Sequence, residues 1–210
     1  MTTTPAPQLP VNPGLSSLNQ VVLNPFFQEH FDKGIRSCIG SGCYSTRMKA
    51  EFHEFLALAQ LSKKIEPLAA SFEGTFQLHF ILQSPLPVRD ADGNVEIFDW
   101  AHLHLSYPER AVRQPQPGTG FVQIVVPDRV FLPNVSPTLP GLPSQVLCLG
   151  PTLPAGIRLR EIILKTRDAL TLNSVQKDLL DSAGVMNPEA ALWWQQNHPR
   201  IPLTREPFLA

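Results

Sequence analysis

Apolar residues that recur every three or four positions predict two amphipathic helices in this chain. The first is expected to begin at Ser45 or Thr46 and to run to about Ile65, with Pro67 ending it. Its apolar face consists of Met48, Phe52, Phe55, Leu56 and Ala59. A second apolar face consists of Leu159, Ile162, Ile163 and Leu170. Each helix is therefore expected to bury one side against the rest of the fold.

Two shorter helices are expected nearer the C-terminus. The first is suggested by Val175, Leu179 and Leu180. The second has the composition of a helix start, because Asn187 can cap, Pro188 suits the first helical position and Glu189 favours the positive end. This last helix carries Trp193 and Trp194, which are adjacent and so cannot both face inward.

Alternating apolar and polar residues predict strands between these helices. A first strand is expected from Thr75 to Gln83, and a turn at Asp92-Gly93 separates it from a second strand, Val95 to Tyr107. The buried face of the first strand consists of Phe76, Leu78, Phe80 and Leu82. Residues 121–126 are apolar on both faces, which is typical of a central strand.

The order of these elements is a helix, three or four meandering strands, and then helices. It predicts an α+β fold in which an N-terminal helix and C-terminal helices pack on an antiparallel sheet. The domain is expected to span residues 45–210. Residues 1–44 are expected to form an N-terminal arm and an extra segment, with the first 20 residues disordered because they are polar and rich in proline.

Charge and composition exclude several classes of function. The formal net charge is −1 and no basic stripe occurs, so a nucleic-acid partner is not expected. The chain has no run of about 18 apolar residues, and its N-terminus lacks the basic and apolar regions of a signal peptide. Its 3 cysteines suggest no disulfide framework. We therefore expect a cytoplasmic, reducing location with no membrane contact.

The candidate chemistry lies between residues 127 and 154. Cys148 follows the short apolar stretch Val146-Leu147 and precedes a break at Gly150-Pro151, a position that can both hold and expose a thiol. Asn134 lies upstream and can fold back near it. A thiol nucleophile and an amide that stabilises an oxyanion make a minimal site for acyl transfer.

Four motifs follow one another along the chain: Pro133-Asn134, Cys148-Leu149, a helix, and the run Asn-Pro-Glu-Ala-Ala from residue 187 to 191. This order resembles the ubiquitin-conjugating enzymes, which carry His-Pro-Asn, a catalytic cysteine followed by leucine, a crossover helix and an Asn-Pro-Glu-Ala-Ala helix start. The resemblance covers roughly residues 45–197. Leu132 stands in place of the histidine, and the loop before the cysteine is longer than usual. This divergence is similar to that of bacterial members found in operons with a ubiquitin-like protein, an activating enzyme and a deconjugating peptidase.

The resemblance implies the fold of the ubiquitin-conjugating enzymes and a role in bacterial antiphage defence. Cys148 would accept a ubiquitin-like protein from an activating enzyme as a thioester and pass it to an amine of a protein substrate. Asn134 would steady the loop or stabilise the oxyanion. The family often uses an acid just before the last helix to deprotonate the incoming lysine, and Asp181 is the candidate close to that place. No metal or organic cofactor is implied, because the activating enzyme consumes the ATP.

Two other functions stay open. A binding module of the same fold would hold the carrier without transferring it; the missing histidine and acid favour this reading, and the presence of Cys148 opposes it. A cysteine hydrolase would need a histidine base near Cys148, and His102, His104 and His198 are available.

Two groups of residues carry side chains that can bind metals. The first consists of Cys38, Cys43, His30 and His53. Its cysteine spacing, without a second pair, matches a zinc site poorly. His102 and His104 share one face of a strand, but no third ligand of matching spacing accompanies them. We therefore expect ordinary thiols and an ordinary strand face in these two places.

Overall fold

The computed structural model describes residues 42–139, 141, 144–174 and 185–209. Within these residues the fold is α+β, with an N-terminal helix, a five-stranded antiparallel sheet and C-terminal helices. The helices are α1 (Gly42–Leu61), α2 (Arg110–Arg113), α3 (Leu159–Leu170) and α4 (Pro188–Gln196), with 3₁₀ turns at Gly118–Gly120 and His198–Arg200. The strands are β1 (Ile65–Glu73), β2 (Thr75–Arg89), β3 (Val95–Tyr107), β4 (Val122–Val126) and β5 (Gln145–Leu147). No helix in these ranges is long and apolar enough to span a bilayer.

The sheet is a meander, in which each strand pairs with the next one along the chain. The long strands β2 and β3 are joined by the predicted turn at Asp92-Gly93. Gly93 has a φ of +88°, a left-handed conformation that favours glycine, and the Asn94 N–H donates to the Asp90 carboxylate at 2.8 Å. The turn therefore sets the register of the two strands that carry much of the core.

One face of the sheet, called the inner face here, packs against α1 and α3. Its β2 residues alternate as predicted and are fully buried: Phe76, Leu78, Phe80 and Leu82. The ring centroids of Phe52 and Phe55 on α1 lie 6.1 Å and 5.7 Å from those of Phe76 and Phe80, respectively. Burying one such side chain contributes about 1.5–3 kcal/mol, so these contacts are a main source of stability for the sheet.

A buried carboxylate joins α1 to α3. The side chain of Glu51 accepts a hydrogen bond from the N–H of Leu159, the first residue of α3, at 2.8 Å and another from Arg47 at 3.2 Å. A negative charge is favourable at this end of a helix because the first N–H groups have no partner within the helix. Arg47 also donates to the Gly156 carbonyl at 2.6 Å. These contacts fix the path of the chain between Cys148 and α3.

The start of α4 has the predicted capping arrangement. The Asn187 side chain accepts from the N–H of Ala190 at 3.1 Å, and Pro188 occupies the first position of the helix. Trp194 is fully buried and its Nε1–H donates to the Phe131 carbonyl at 2.8 Å, whereas Trp193 is only partly buried. The two tryptophans thus differ in burial, as expected for neighbours on a helix.

One strand was not predicted. α1 ends at Leu61 rather than near Ile65, where β1 begins. Pro67 lies inside β1, next to a register shift, and β1 is an edge strand. An edge strand tolerates a residue without an N–H, whereas a central strand does not. The proline is therefore compatible with a strand here, although it was interpreted as the end of a helix.

Some predictions concern residues outside the described ranges. They include the N-terminal arm up to residue 41, the short helix near Leu179 and the candidate acid Asp181. The expected start of the domain at residue 45 lies within α1, which already begins at Gly42.

Candidate active site around Cys148

Main-chain hydrogen bonds place the Pro133-Asn134 loop beside Cys148. The Cys148 N–H donates to the Asn134 carbonyl at 2.8 Å. The next residue, Val135, forms an antiparallel bridge with Leu147. The loop thus lies alongside the end of β5, and the structure brings together the two residues that the sequence singled out for acyl transfer.

A buried glutamine on β5 anchors the same loop. The Gln145 side chain accepts from the Val130 N–H at 2.6 Å and donates to the carbonyls of Val130 and Ser136 at 3.1 and 2.7 Å. These bonds satisfy the buried N–H and carbonyl of Val130 and the carbonyl of half-buried Ser136, and so join the loop to β5. Gln145 was not among the predicted site residues. Its signal in the sequence is weak, a single polar residue at the start of a short apolar strand.

Two glycines allow the chain after Cys148 to pass close to a neighbouring loop. The N–H of Leu149 donates to the Gly118 carbonyl at 3.2 Å. A Cβ on Gly118 would lie 2.1 Å from the carbonyl oxygen of Gly150 and 2.8 Å from its nitrogen. Gly150 itself has a φ of +121°, which side chains disfavour. Close main-chain contact therefore requires glycine at both positions.

The thiol lies beneath the surface. Cys148 is 7% exposed, and its thiol donates to the carbonyl of Gly150 at 3.4 Å. The expectation that this position leaves the thiol exposed is wrong for this conformation. The physical reason is the turn at Gly150, which brings that residue's carbonyl back to the sulfur. An incoming thioester requires the Cys148 side chain to rotate away or the residues after it to open.

The side chain of Asn134 is turned towards the main chain of Cys148. Its Nδ2 donates to the Cys148 carbonyl at 3.3 Å. Asn134 is 4% exposed, and its Oδ1 has no hydrogen-bond partner among the described residues. An amide nitrogen carries two N–H groups, so one remains for a further acceptor. The arrangement holds the Cys148 peptide group, and the second N–H of this amide has no acceptor among the described residues.

The start of α4 docks on the same loop. The N–H groups of Met186 and Asn187 both donate to the Pro133 carbonyl, at 2.7 and 3.0 Å. Leu132, which stands where the conjugating enzymes have histidine, is fully buried in the core. Leucine cannot make the hydrogen bonds of a histidine. In this chain the Pro133 carbonyl and the Gln145 side chain supply the hydrogen bonds that hold the loop.

Of the other candidate residues, Cys43, His102 and His104 are described and do not lie at this site. Asp181 and Cys38 lie outside the described residues, and Cys43 is exposed near the start of α1. His102 and His104 lie on β3, which is separated by β4 from the β5 end that leads to Cys148. Two strand spacings amount to roughly 9.6 Å, so neither ring is placed to act as a base for the thiol.

Comparison of the chain with models of protein families, with curated proteins and with solved structures found no match. No relative supplies a role for any residue, so the roles proposed below rest on residue order and geometry.

Proposed function

We propose that this chain is a ubiquitin-conjugating-enzyme-like protein that carries a ubiquitin-like protein as a thioester on Cys148 and transfers it to a substrate amine. The observation that supports this most directly is the double link between Asn134 and Cys148, a main-chain bond of 2.8 Å and a side-chain bond of 3.3 Å. The element order adds support, because a helix, an antiparallel meander, the thiol loop and a further helix precede the Asn187-Pro188 helix start. The ubiquitin-conjugating enzymes share this order of motifs.

The first step is an exchange between two thiols. The Cys148 thiolate attacks the carbonyl carbon of the thioester that links the carrier to its activating enzyme. A new carbon–sulfur bond forms, and the cysteine of the activating enzyme leaves as a thiolate. One thioester replaces another, so the step depends mainly on correct positioning. The Cys148 side chain must first give up its contact with the Gly150 carbonyl.

The second step moves the acyl group to nitrogen. The substrate amine bonds to the carbonyl carbon, whose oxygen becomes negatively charged, and the carbon–sulfur bond then breaks to release the Cys148 thiolate. The amine loses its proton in the process, and Asp181 is the proposed acceptor. The free N–H of Asn134 is the proposed donor to the oxyanion, while its other N–H holds the Cys148 carbonyl.

The proposal names three kinds of protein partner: a ubiquitin-like carrier, an activating enzyme and a protein substrate. It needs no metal or organic cofactor for transfer, since the acyl group arrives already activated. The net charge of −1 gives no reason to add a nucleic-acid partner. We place the reaction in the bacterial cytoplasm, as part of antiphage defence.

Trapping the thioester tests the proposal. The full chain is incubated with ATP, an activating enzyme and its ubiquitin-like protein, and the products are separated on a non-reducing gel. We expect an adduct that thiol reductants cleave, that Cys148→Ala abolishes, and that Cys38→Ala and Cys43→Ala retain. An adduct that persists without Cys148 overturns the proposal.

A binding module without transfer is the second candidate, and the 7% exposure of Cys148 favours it. Such a module would bind the carrier without a covalent adduct, and Cys148→Ala would leave that binding unchanged. A cysteine hydrolase would instead release free carrier from the activating enzyme's thioester. The same gel therefore separates the three functions.

A further inference from the structure

Three histidines meet on the outer face of the sheet, opposite the inner face. His79 on β2 lies directly across from His104 on β3, and His102 lies across from Ile81, two residues along β2. The rings of His79 and His104 stack with 4.5 Å between centroids, and the centroids of His79 and His102 are 5.3 Å apart. Side chains at opposed and diagonal positions of paired strands are within reach of each other. These three residues are called the histidine cluster below.

Two nitrogens of the cluster already have the separation of two ligands on one ion. The Nδ1 of His79 and the Nε2 of His102 lie 3.1 Å apart. Two imidazole nitrogens that are each about 2.05 Å from one zinc ion lie roughly 3.0 to 3.4 Å apart. Without a metal, one proton between these nitrogens makes a hydrogen bond; with a metal, both lone pairs would bind the ion.

The third ring has an unused nitrogen. The Nε2 of His104 is buried and has no hydrogen-bond partner among the described residues. Its Nδ1 lies 3.5 Å from the side-chain oxygen of Gln123 on β4, which in turn accepts from the Ser144 hydroxyl at 3.2 Å. A proton on Nδ1, directed at this oxygen, leaves the Nε2 lone pair available. A buried polar atom without a partner is unfavourable, and a bound cation would satisfy it.

Two of the three rings, those of His79 and His102, are in the protonation state that metals require. Burial, followed by repulsion from His104 and His102, lowers the pKa of His79 to about 4. Burial and the neighbouring His104 also lower the pKa of His102. Both rings are therefore neutral at pH 7, and the neutral imidazole is the form that binds a metal.

We propose that His79, His102 and His104 form a binding site for a divalent transition-metal ion such as Zn²⁺. Imidazole nitrogens suit zinc, nickel and copper, whereas magnesium and calcium prefer oxygen ligands. Among the described residues, no three His, Cys, Asp or Glu side chains yet surround a single metal position. Binding therefore requires the stacked rings of His79 and His104 to separate, so that the Nε2 of His104 turns towards the ion.

Calorimetric titration with Zn²⁺ tests the site on the full, untagged chain after treatment with EDTA. Cys38 and Cys43 are first replaced by alanine, so that their thiolates do not bind the added zinc. We expect one Zn²⁺ per chain, and at least tenfold weaker binding after His79→Ala, His102→Ala or His104→Ala. The matched control is His53→Ala, because this histidine is exposed on α1, away from the cluster.

Nitrogen NMR of the histidine side chains identifies the ligand atoms. Zn²⁺ should shift the Nδ1 resonance of His79 and the Nε2 resonances of His102 and His104. Circular dichroism in EDTA is the control that each variant is folded. Three results would overturn the proposal: no stoichiometric binding to the wild type, unchanged affinity in His104→Ala, or an equal loss in His53→Ala.

Discussion

Main-chain bonds, together with the Gln145 side chain, hold the loop around Cys148, whereas side chains alone form the contacts within the histidine cluster. At the thiol site, main-chain bonds link Cys148 to Asn134, Leu149 to Gly118, and Asn187 to Pro133. In the histidine cluster, the contacts are ring against ring, on strands whose pairing does not depend on those rings.

This difference determines what a substitution reports. At the thiol site, exchanging a side chain other than that of Gln145 leaves the main-chain bonds of the loop intact, and the measured change reflects chemistry. Replacing a glycine there changes the shape itself. In the histidine cluster, half-buried side chains form the site. One substitution there should remove the proposed metal binding while the sheet stays folded. The predictions below test this contrast, beginning with the largest effect.

Replacing Asn134 is expected to have the largest effect, and to affect one step only. Both steps place negative charge on the carbonyl oxygen. Loading exchanges one good thiolate leaving group for another and needs little help, whereas transfer to an amine depends more on an amide donor that stabilises the oxyanion. Loss of such a donor costs about 2.7 to 4 kcal/mol, or roughly a hundred- to a thousand-fold in rate. Asn134→Ala should therefore form the Cys148 thioester but discharge it far more slowly to free lysine, as measured by single-turnover discharge of loaded protein.

Asn197→Ala is the matched control, because this asparagine also donates to a main-chain carbonyl, that of Trp193, at 2.9 Å. It should change neither step. If Asn134→Ala slows loading and discharge equally, the bond to the Cys148 carbonyl explains the whole effect, and Asn134 leaves the list of catalytic residues.

Replacing Gly118 tests the main-chain framework. The added Cβ of Gly118→Ala would meet the main chain of Gly150 at 2.1 Å, which no side-chain rotation relieves. Overpacking of this kind costs about 1–3 kcal/mol, and each kcal/mol lowers the Tm of a domain this size by roughly 2–4 °C. Gly120→Ala is the control, because nothing lies within 4 Å of its Cβ position. Equal melting temperatures for the two variants would show that the loop adapts.

A smaller effect is expected at the start of α4. Asn187→Ala removes the cap that accepts from Ala190, at a cost of about 1 kcal/mol. The bond from the Asn187 N–H to the Pro133 carbonyl comes from the main chain and should remain. Thermal denaturation should therefore show a modest loss of stability, while the rate of Cys148 loading stays unchanged. A large fall in the loading rate would mean that the cap also shapes the thiol loop.

The smallest effect is expected in the histidine cluster without metal. His104→Leu removes a buried nitrogen that has no partner among the described residues and retains apolar contact with the sheet. In EDTA the free energy of unfolding should change by no more than about 0.5 kcal/mol. Chemical denaturation measures this change. A loss above roughly 2 kcal/mol would show that the ring supports the fold itself, and the contrast between the two regions would fail.

Local patterns predicted the parts of the fold that depend on local interactions. Alternation along the chain located β3 with its observed ends, and the residue types at Asn187 and Pro188 located the start of α4. The edge strand β1 was missed because Pro67 stops a helix but is also tolerated at a sheet edge. A single proline does not distinguish these two cases.

The two sites differ in how far the sequence predicts them. The order of the motifs predicted that Asn134 lies near Cys148. In the structure they are close because the residues around Asn134 lie alongside the edge strand β5. The burial of Cys148 depends on the turn at Gly150, which residue order does not show. The histidine cluster depends on the register of β2 against β3, which puts His79 opposite His104. Spacing within one strand shows only His102 and His104 as neighbours.

The central claim is that Cys148 carries the acyl group, and the chemical nature of the adduct in Cys148→Ser tests it most directly. Serine replaces the sulfur by oxygen, so the thioester should become an ester. We predict that thiol reductants cleave the wild-type adduct, and that the Cys148→Ser adduct resists them but is cleaved by alkali. A Cys148→Ser adduct that remains sensitive to thiols would place the carrier on another cysteine and contradict the account.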